Sequence, residues 1–396
     1  MRIDRYLSPE PVVRHAPIWA LGFRPFFLLA ALLVALWLPL WLGIHLGGLG
    51  VPLVLDPGSW HAHELLFGFA GAVLAGFLLT AARNWTKGEV PTGRSLMALV
   101  LLWVAGRLLM LLGGDLPLAV VAIVTCAFLP AVAVSLMRTL VKAKNRRNYA
   151  FPILLLVMGG FEVALFALDF AERRALLRAS LDVVVVFLVV MGGRVIPFFT
   201  RNALKDATVS TPSWLAWGAT ISTAALIPAG LLFVETPLVP AVVALVAGAL
   251  NLARLSGWAS LATRRNALLW VLHLGYLWVG LGLVLRGLSV WVPELGGPSL
   301  AHSLAIGALG TLVVGMMARV ALGHTGRPLV APRLMVAAFV LPTVAALLRV
   351  GLPVVSPDLY SVAMTSSGVA MSVAFLLFAI VYAPILTRPR VDGAPG

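Results

Sequence analysis

Charge is the scarce ingredient of this chain. Only 11% of its 396 residues are Asp, Glu, Lys or Arg, while 61% are hydrophobic. A soluble domain carries about 25% charged and roughly 45–50% apolar residues. A polypeptide this poor in charge cannot cover itself with polar surface in water, and lipid is the solvent that suits it. Cysteine is scarcer still: Cys126 stands alone inside an apolar run. That excludes a disulfide framework and a thiolate-rich metal site. Any metal must be held by His, Met or carboxylate, and Cys126 reads as a packing residue. There is no Walker-type phosphate loop, no Rossmann glycine fingerprint and no polar stretch long enough for a soluble domain. The formal net charge of +14 has no basic domain to concentrate it, so nucleic acid is excluded as a partner.

What is present is a series of long apolar runs. A membrane span takes about 20 such residues. The runs predict twelve spans, near 20–44, 61–82, 96–113, 116–137, 150–169, 179–199, 213–234, 237–257, 266–287, 299–322, 334–352 and 360–386. Gly and Pro break the chain between them, as at Gly47-Gly48, Gly113-Gly114, Gly296-Gly297-Pro298 and Pro353 to Pro357. The polar start, Met1 to Pro17, leads into a run too long for a signal peptide, which is read as the first membrane helix. With that start inside, 22 of the 29 Lys and Arg fall on the cytoplasmic side. Five fall outside (Arg173, Arg174, Arg178, Arg286 and Arg349), and Arg24 and Arg107 lie within spans. This positive-inside bias predicts cytoplasmic N- and C-termini. The expected fold is an all-α polytopic bundle, one transmembrane domain over 1–396, with an N-terminal cytoplasmic segment 1–17 and a tail 387–396.

A pattern recurs within the bundle. The second span reads His63-x4-Gly68-x2-Gly71-x4-Gly76 and the tenth His302-x4-Gly307-x2-Gly310-x4-Gly315. Met191-Gly192-Gly193-Arg194 closes the sixth span much as Gly315-Met316-Met317-Ala318-Arg319 closes part of the tenth. Spans two, six and ten are four apart, which hints at three four-helix units.

Six of the seven histidines lie in or beside spans, where ionisable groups are costly and usually functional. His63 and His302 sit roughly 9 and 6 Å into their helices at about 1.5 Å per residue, at matching places in the pattern. A flat cofactor with two axial imidazoles needs such a pair, and the glycines beyond would let a large ring approach. The spacing therefore predicts a haem between His63 and His302; Gly-mediated helix packing with each His bonded to a neighbour is the competing reading. His61 points away from His63 on a helix. With His273 and His324 it is a candidate for a second haem or copper site, since imidazole suits both metals. Glu64 would orient a ligand or stabilise the helix start. Arg107 and Arg24 would face haem propionates or pair with buried carboxylates. Glu162 and Asp182 are such carboxylates, and with Glu64 they are candidates for a proton path. A proton-coupled transporter using Glu162, Asp182 and His273 without metal is the alternative from another class, and a non-catalytic haem-binding sensor a third.

The strings Gly22-Phe23-Arg24-Pro25-Phe26-Phe27, Trp60-His61-Ala62-His63-Glu64, Thr80-Ala81-Ala82-Arg83-Asn84-Trp85-Thr86, Gly106-Arg107-Leu108, Gly193-Arg194-Val195-Ile196-Pro197, His273-Leu274-Gly275-Tyr276 and Gly323-His324-Thr325-Gly326-Arg327 resemble the NnrS family of bacterial inner-membrane proteins. Lys87 departs from the pattern, which has Gly after Asn-Trp-Thr. The resemblance implies a multi-pass protein containing haem b and copper, tied to nitric oxide, denitrification and protection against nitrosative stress. Whether nitric oxide is reduced, sensed or sequestered is left open. Electrons, if used, would come from quinol or a separate redox protein. The arrangement also resembles the core of haem–copper oxidases and nitric oxide reductases, where twelve helices form three arcs and histidines of the second and tenth helices hold a haem. Likeness of fold does not establish function.

Overall fold

The computed structural model describes residues 15–295 and 299–394, the side chains of 170 and 171 excepted. The N-terminal segment as far as Arg14 and the Gly296-Gly297-Pro298 break lie outside the described residues. Twelve helices are long and apolar enough to cross a membrane: α1 Phe23–His45, α2 Pro57–Thr86, α3 Gly93–Leu112, α4 Leu118–Lys142, α5 Arg146–Leu165, α6 Glu172–Ala203, α7 Ser213–Leu232, α8 Leu238–Ser256, α9 Ala267–Leu288, α10 Ser303–His324, α11 Arg333–Val355 and α12 Pro357–Thr387. There is no strand among the described residues. Each predicted span meets one of these helices.

α2 and α6 outrun their apolar stretches, because capping lets polar first turns join the helix. Before α2, the Asp56 side chain accepts from the Ser59 backbone N–H at 2.9 Å, with Pro57 in the first helical position. Before α6, Asp169 and Glu172 form a reciprocal capping box. α12 begins in a short 3₁₀ turn, Pro357–Leu359.

α2, α6 and α10, with α9, are the most buried helices. α2 packs on α1, α4 and α6, and α10 on α9, α11 and α12. Residues on α2 and α10 are apolar nearly all round, as expected of helices inside a bundle. The two ends of the chain meet: Arg24, fully buried, donates to the carbonyls of Leu386 and Arg388 at 2.8 Å each. That face of the bundle is the termini face. His45, at the end of α1, and the starts of α2 and α10 lie at the far face.

α2 and α10 share a local irregularity. Each leaves α-helical geometry for a π-helical stretch, Glu64–Ala70 in α2 and Ser303–Gly310 in α10. Each stretch begins at the residue after the recurring histidine, His63 or His302. π segments are rare and concentrate at functional sites. In α2 the Trp103 indole N–H donates to the Gly68 carbonyl at 3.0 Å, tying the segment to α3.

Candidate functional site at the far face

α2 presents its two histidines to different surroundings, because residues two apart on a helix point about 200° apart. His61 faces a cavity of about 320 Å³. Its ring stacks on Trp41, with centroids 4.1 Å apart, and Trp41 stacks in turn on His45 at 4.9 Å. Across from His61 stands His302, ring centroids 6.4 Å apart and planes inclined by 28°. His45, His61 and His302 all line the cavity, together with Arg178, Arg349 and Tyr360, and the rest of the wall is mostly apolar. Arg349 is buried and held by Ser299 Oγ at 2.6 Å and the Tyr360 hydroxyl at 2.9 Å. The same guanidinium lies over the Tyr360 ring, 4.6 Å from its centroid. Trp41 also donates to the Pro57 carbonyl at 3.0 Å, which fixes the end of α1 against the start of α2.

His63 faces the other way, into a buried ionic cluster. Its Nδ1 lies 3.1 Å from Glu64 Oε1 and its Nε2 3.2 Å from Glu162 Oε1. Arg107 Nη1 donates to Glu64 Oε1 at 2.5 Å, and Nη2 lies 3.9 Å from Glu162. All four side chains are at most 3% exposed. Two carboxylates thus meet one guanidinium and one imidazole with no water-facing edge. Such a cluster is held together by mutual charge, since any member left alone would be a buried uncompensated ion.

The recurring pattern pairs His63 with His302, and the structure sets other side chains beside each of them. His302 meets His61, and both ring nitrogens of His63 are turned to carboxylates. The glycines of the pattern lie against protein side chains. A Cβ on Gly68 would lie 3.0 Å from Arg107, on Gly76 3.0 Å from Phe26, and on Gly307 2.5 Å from the Trp278 indole. Arg107 belongs to the carboxylate cluster. Arg24 caps α12 at the termini face, away from the cavity.

The proposed second set of histidines is also dispersed. His273 Nε2 lies 2.9 Å from Thr200 Oγ1 and its Nδ1 2.9 Å from Ser260 Oγ, near the start of α9. His324 ends α10 at the termini face, its ring 5.5 Å from Phe23 and its carbonyl accepting from Arg390. Neither joins His61. Of the candidate proton carriers, Glu64 and Glu162 share the His63 cluster. Asp182 instead makes a two-pronged ion pair with Arg286, one contact at 3.1 Å. Glu162, Asp182 and His273 therefore sit with three separate sets of partners.

His45, Arg178, Arg349 and Trp41 were not singled out by sequence reasoning. One signal was available: Trp41 and His45 are four apart, one helical turn, at the end of a span whose next helix opens with His61. Among the described residues, no group of three or more His, Cys, Asp and Glu side chains is disposed to hold a metal ion.

Twelve candidate spans define a multi-pass membrane protein, and an imidazole-lined cavity lies at one end of its bundle. The chain belongs to the NnrS family: the family model described as NnrS protein matches residues 17–390. Membership points to a membrane protein of the nitric oxide response. Comparison with the curated proteins finds no match.

Proposed function

We infer that the chain is a haem-binding protein of the nitric oxide response, seated in the bacterial inner membrane with both termini cytoplasmic, and that His61 and His302 are the haem ligands. The observation that carries the reading is the facing pair of imidazoles. The two rings stand with centroids 6.4 Å apart and planes inclined by 28°, and they would hold the iron. Haem b suits a site with two such donors, because the porphyrin supplies the remaining four. Copper, the other metal that the family resemblance implies, would find His45 beside the pair as a further imidazole lining the cavity.

Arg349 and Arg178 are the cations at the cavity wall and would meet the anionic propionates, in place of Arg107 and Arg24. Trp41 fixes the plane of the His61 ring by stacking. The apolar remainder of the wall excludes water and admits a small apolar molecule such as nitric oxide from the membrane. Bound there, haem would supply an iron that exchanges single electrons, and that would ligate a diatomic only where one of the two imidazoles gives way. The His63 cluster anchors α2 so that His61 is aimed at His302. The transporter reading loses support, because its three relay residues share no partner.

The test is the absorption spectrum and the iron and copper content of the detergent-purified protein. The wild type should show a Soret band, His61→Ala and His302→Ala should lose it, and His63→Ala should keep it in whatever fraction folds. A colourless, iron-free wild type from cells supplied with haem would sink the reading.

A further inference from the structure

The methionine strings that close spans six and ten come together in the fold. Met191 of α6 and Met316 and Met317 of α10 line a cavity of about 70 Å³ whose remaining wall is Phe, Leu, Val and Gly from α1, α2, α6 and α10. No polar or charged side chain stands on that wall. The cavity lies midway along α2, α6 and α10, which in a spanning bundle is the depth of the hydrocarbon core. The same three helices wall the imidazole cavity, and the two spaces follow one another along them. On α2 the wall passes from Phe69 to Val73, on α10 from Leu309 to Val313, and on α6 from Leu181 to Phe187. Those steps are about 6–9 Å of helix. The side chains at the boundary, Phe69 and Leu309, are apolar and buried.

Size and wall chemistry together select the occupant. An ion would leave its water here and meet no opposite charge. Water needs several polar partners inside a protein, and this wall offers no polar side chain. Pockets for organic ligands start near ~300 Å³, so a ring is too large. One water-sized molecule needs about 10–15 Å³, so about 70 Å³ suits a diatomic or a single xenon atom. Apolar cavities stay dry and accept such guests. Methionine side chains are flexible and polarisable, and three of them let the wall close on a small guest. An apolar gas is also more soluble in hydrocarbon than in water, which makes the bilayer core its source. We propose that this cavity binds a small neutral apolar gas from the bilayer and passes it along α2 and α10 to the imidazole cavity. That the gas is nitric oxide rests on the functional reading; the binding of a small apolar gas rests on the cavity alone.

The probe is xenon. The full-length protein, isotope-labelled at its methionine methyl groups and held in detergent micelles, is followed by NMR as xenon pressure is raised, with haem content read on the same samples. The methyl groups of Met191, Met316 and Met317 should shift and saturate, while exposed Met97 drifts in proportion to pressure. Val313→Phe fills the space and should abolish the saturating response. Leu188→Ala enlarges the space and should keep it, so the cavity is tested even where the larger side chain prevents folding. Proportional drift at all four methionines, or a saturating response that survives in folded Val313→Phe, overturns the site. Contacts from the three methyl groups to detergent chain methylenes, with no response to xenon, overturn it in favour of an acyl-chain groove. On haem-loaded samples Val313→Phe should slow the change in the Soret band on mixing with nitric oxide at equal haem content, since Val313 does not line the imidazole cavity; an unchanged rate overturns the passage. Saturation by xenon without haem leaves the gas cavity standing and removes the functional reading; haem without saturation does the reverse.

Discussion

Replacing Arg107 by Met tests whether the His63 cluster is an electrostatic unit. In the wild type one guanidinium faces Glu64 at 2.5 Å and Glu162 at 3.9 Å, all of them out of water. Arg107→Met keeps much of the volume but leaves two carboxylates with one imidazole between them. Breaking a buried pair in this way costs about 3–5 kcal/mol, which is roughly 10²- to 10⁴-fold in the folding equilibrium at about 1.4 kcal/mol per decade. Adding Glu64→Gln removes the surplus negative charge and leaves Glu162 facing His63, so the double variant should recover most of that loss. The assay is SDS-induced unfolding in mixed micelles, followed by tryptophan fluorescence. Arg107→Met within about 1 kcal/mol of wild type, or a double variant less stable than the single, would refute the coupled cluster. Haem retention separates this account from the propionate role that the sequence suggested for Arg107: the folded fraction should keep its haem, because Arg107 does not line the histidine cavity.

Other perturbations follow the same contacts. Arg349→Gln should lower haem retention with little effect on the fold, measured as haem-to-protein ratio after gel filtration, since its bonds to Ser299 and Tyr360 can be kept by the amide. Gly193→Ala should be destabilising: its Cβ would lie 1.9 Å from Arg254 Nη2, so Arg254 must swing from its bonds to the Val189 carbonyl and the Tyr276 hydroxyl, at a cost of about 1–3 kcal/mol, read as a lower thermal midpoint. His273→Gln should leave the absorption spectrum unchanged, because His273 serves Thr200 and Ser260 at the other end of the bundle. At the tail, Arg390 holds the Asp392 carboxyl down to about 2; any stability from the contact is present above the ordinary carboxylate range and lost as pH falls through that value. Both groups face water, so Asp392→Asn should not move the thermal midpoint at neutral pH.

The membrane architecture was readable from the sequence because lipid imposes one simple demand, a long apolar run per crossing. Capping could not be weighed from hydropathy alone, so α2 and α6 came out short. The site was half legible. The argument that His61 and His63 point apart was sound, but which of them faces the cavity depends on where Glu162 and Arg107 lie, on α5 and α3, distant in sequence. The recurrence of His63 and His302 with their glycines was real as a pattern, and in the fold it marks the start of the two π segments. It did not mark partners. His45 and Arg349 look like unremarkable helix-end residues until α1, α10 and α11 are brought together.

The π segment of α2 carries one more residue per turn than the helix around it requires. Each residue of an α-helix advances the chain by about 100°, so the end bearing His61 is out of phase with the end that packs on α1 and α4. The phase offset uncouples two tasks that a uniform helix would bind together: the aim of the imidazole toward His302 and the registry of the glycines with their neighbours. Deleting a single residue between Glu64 and Ala70 would make the helix more regular and, by that very regularity, turn His61 out of its cavity.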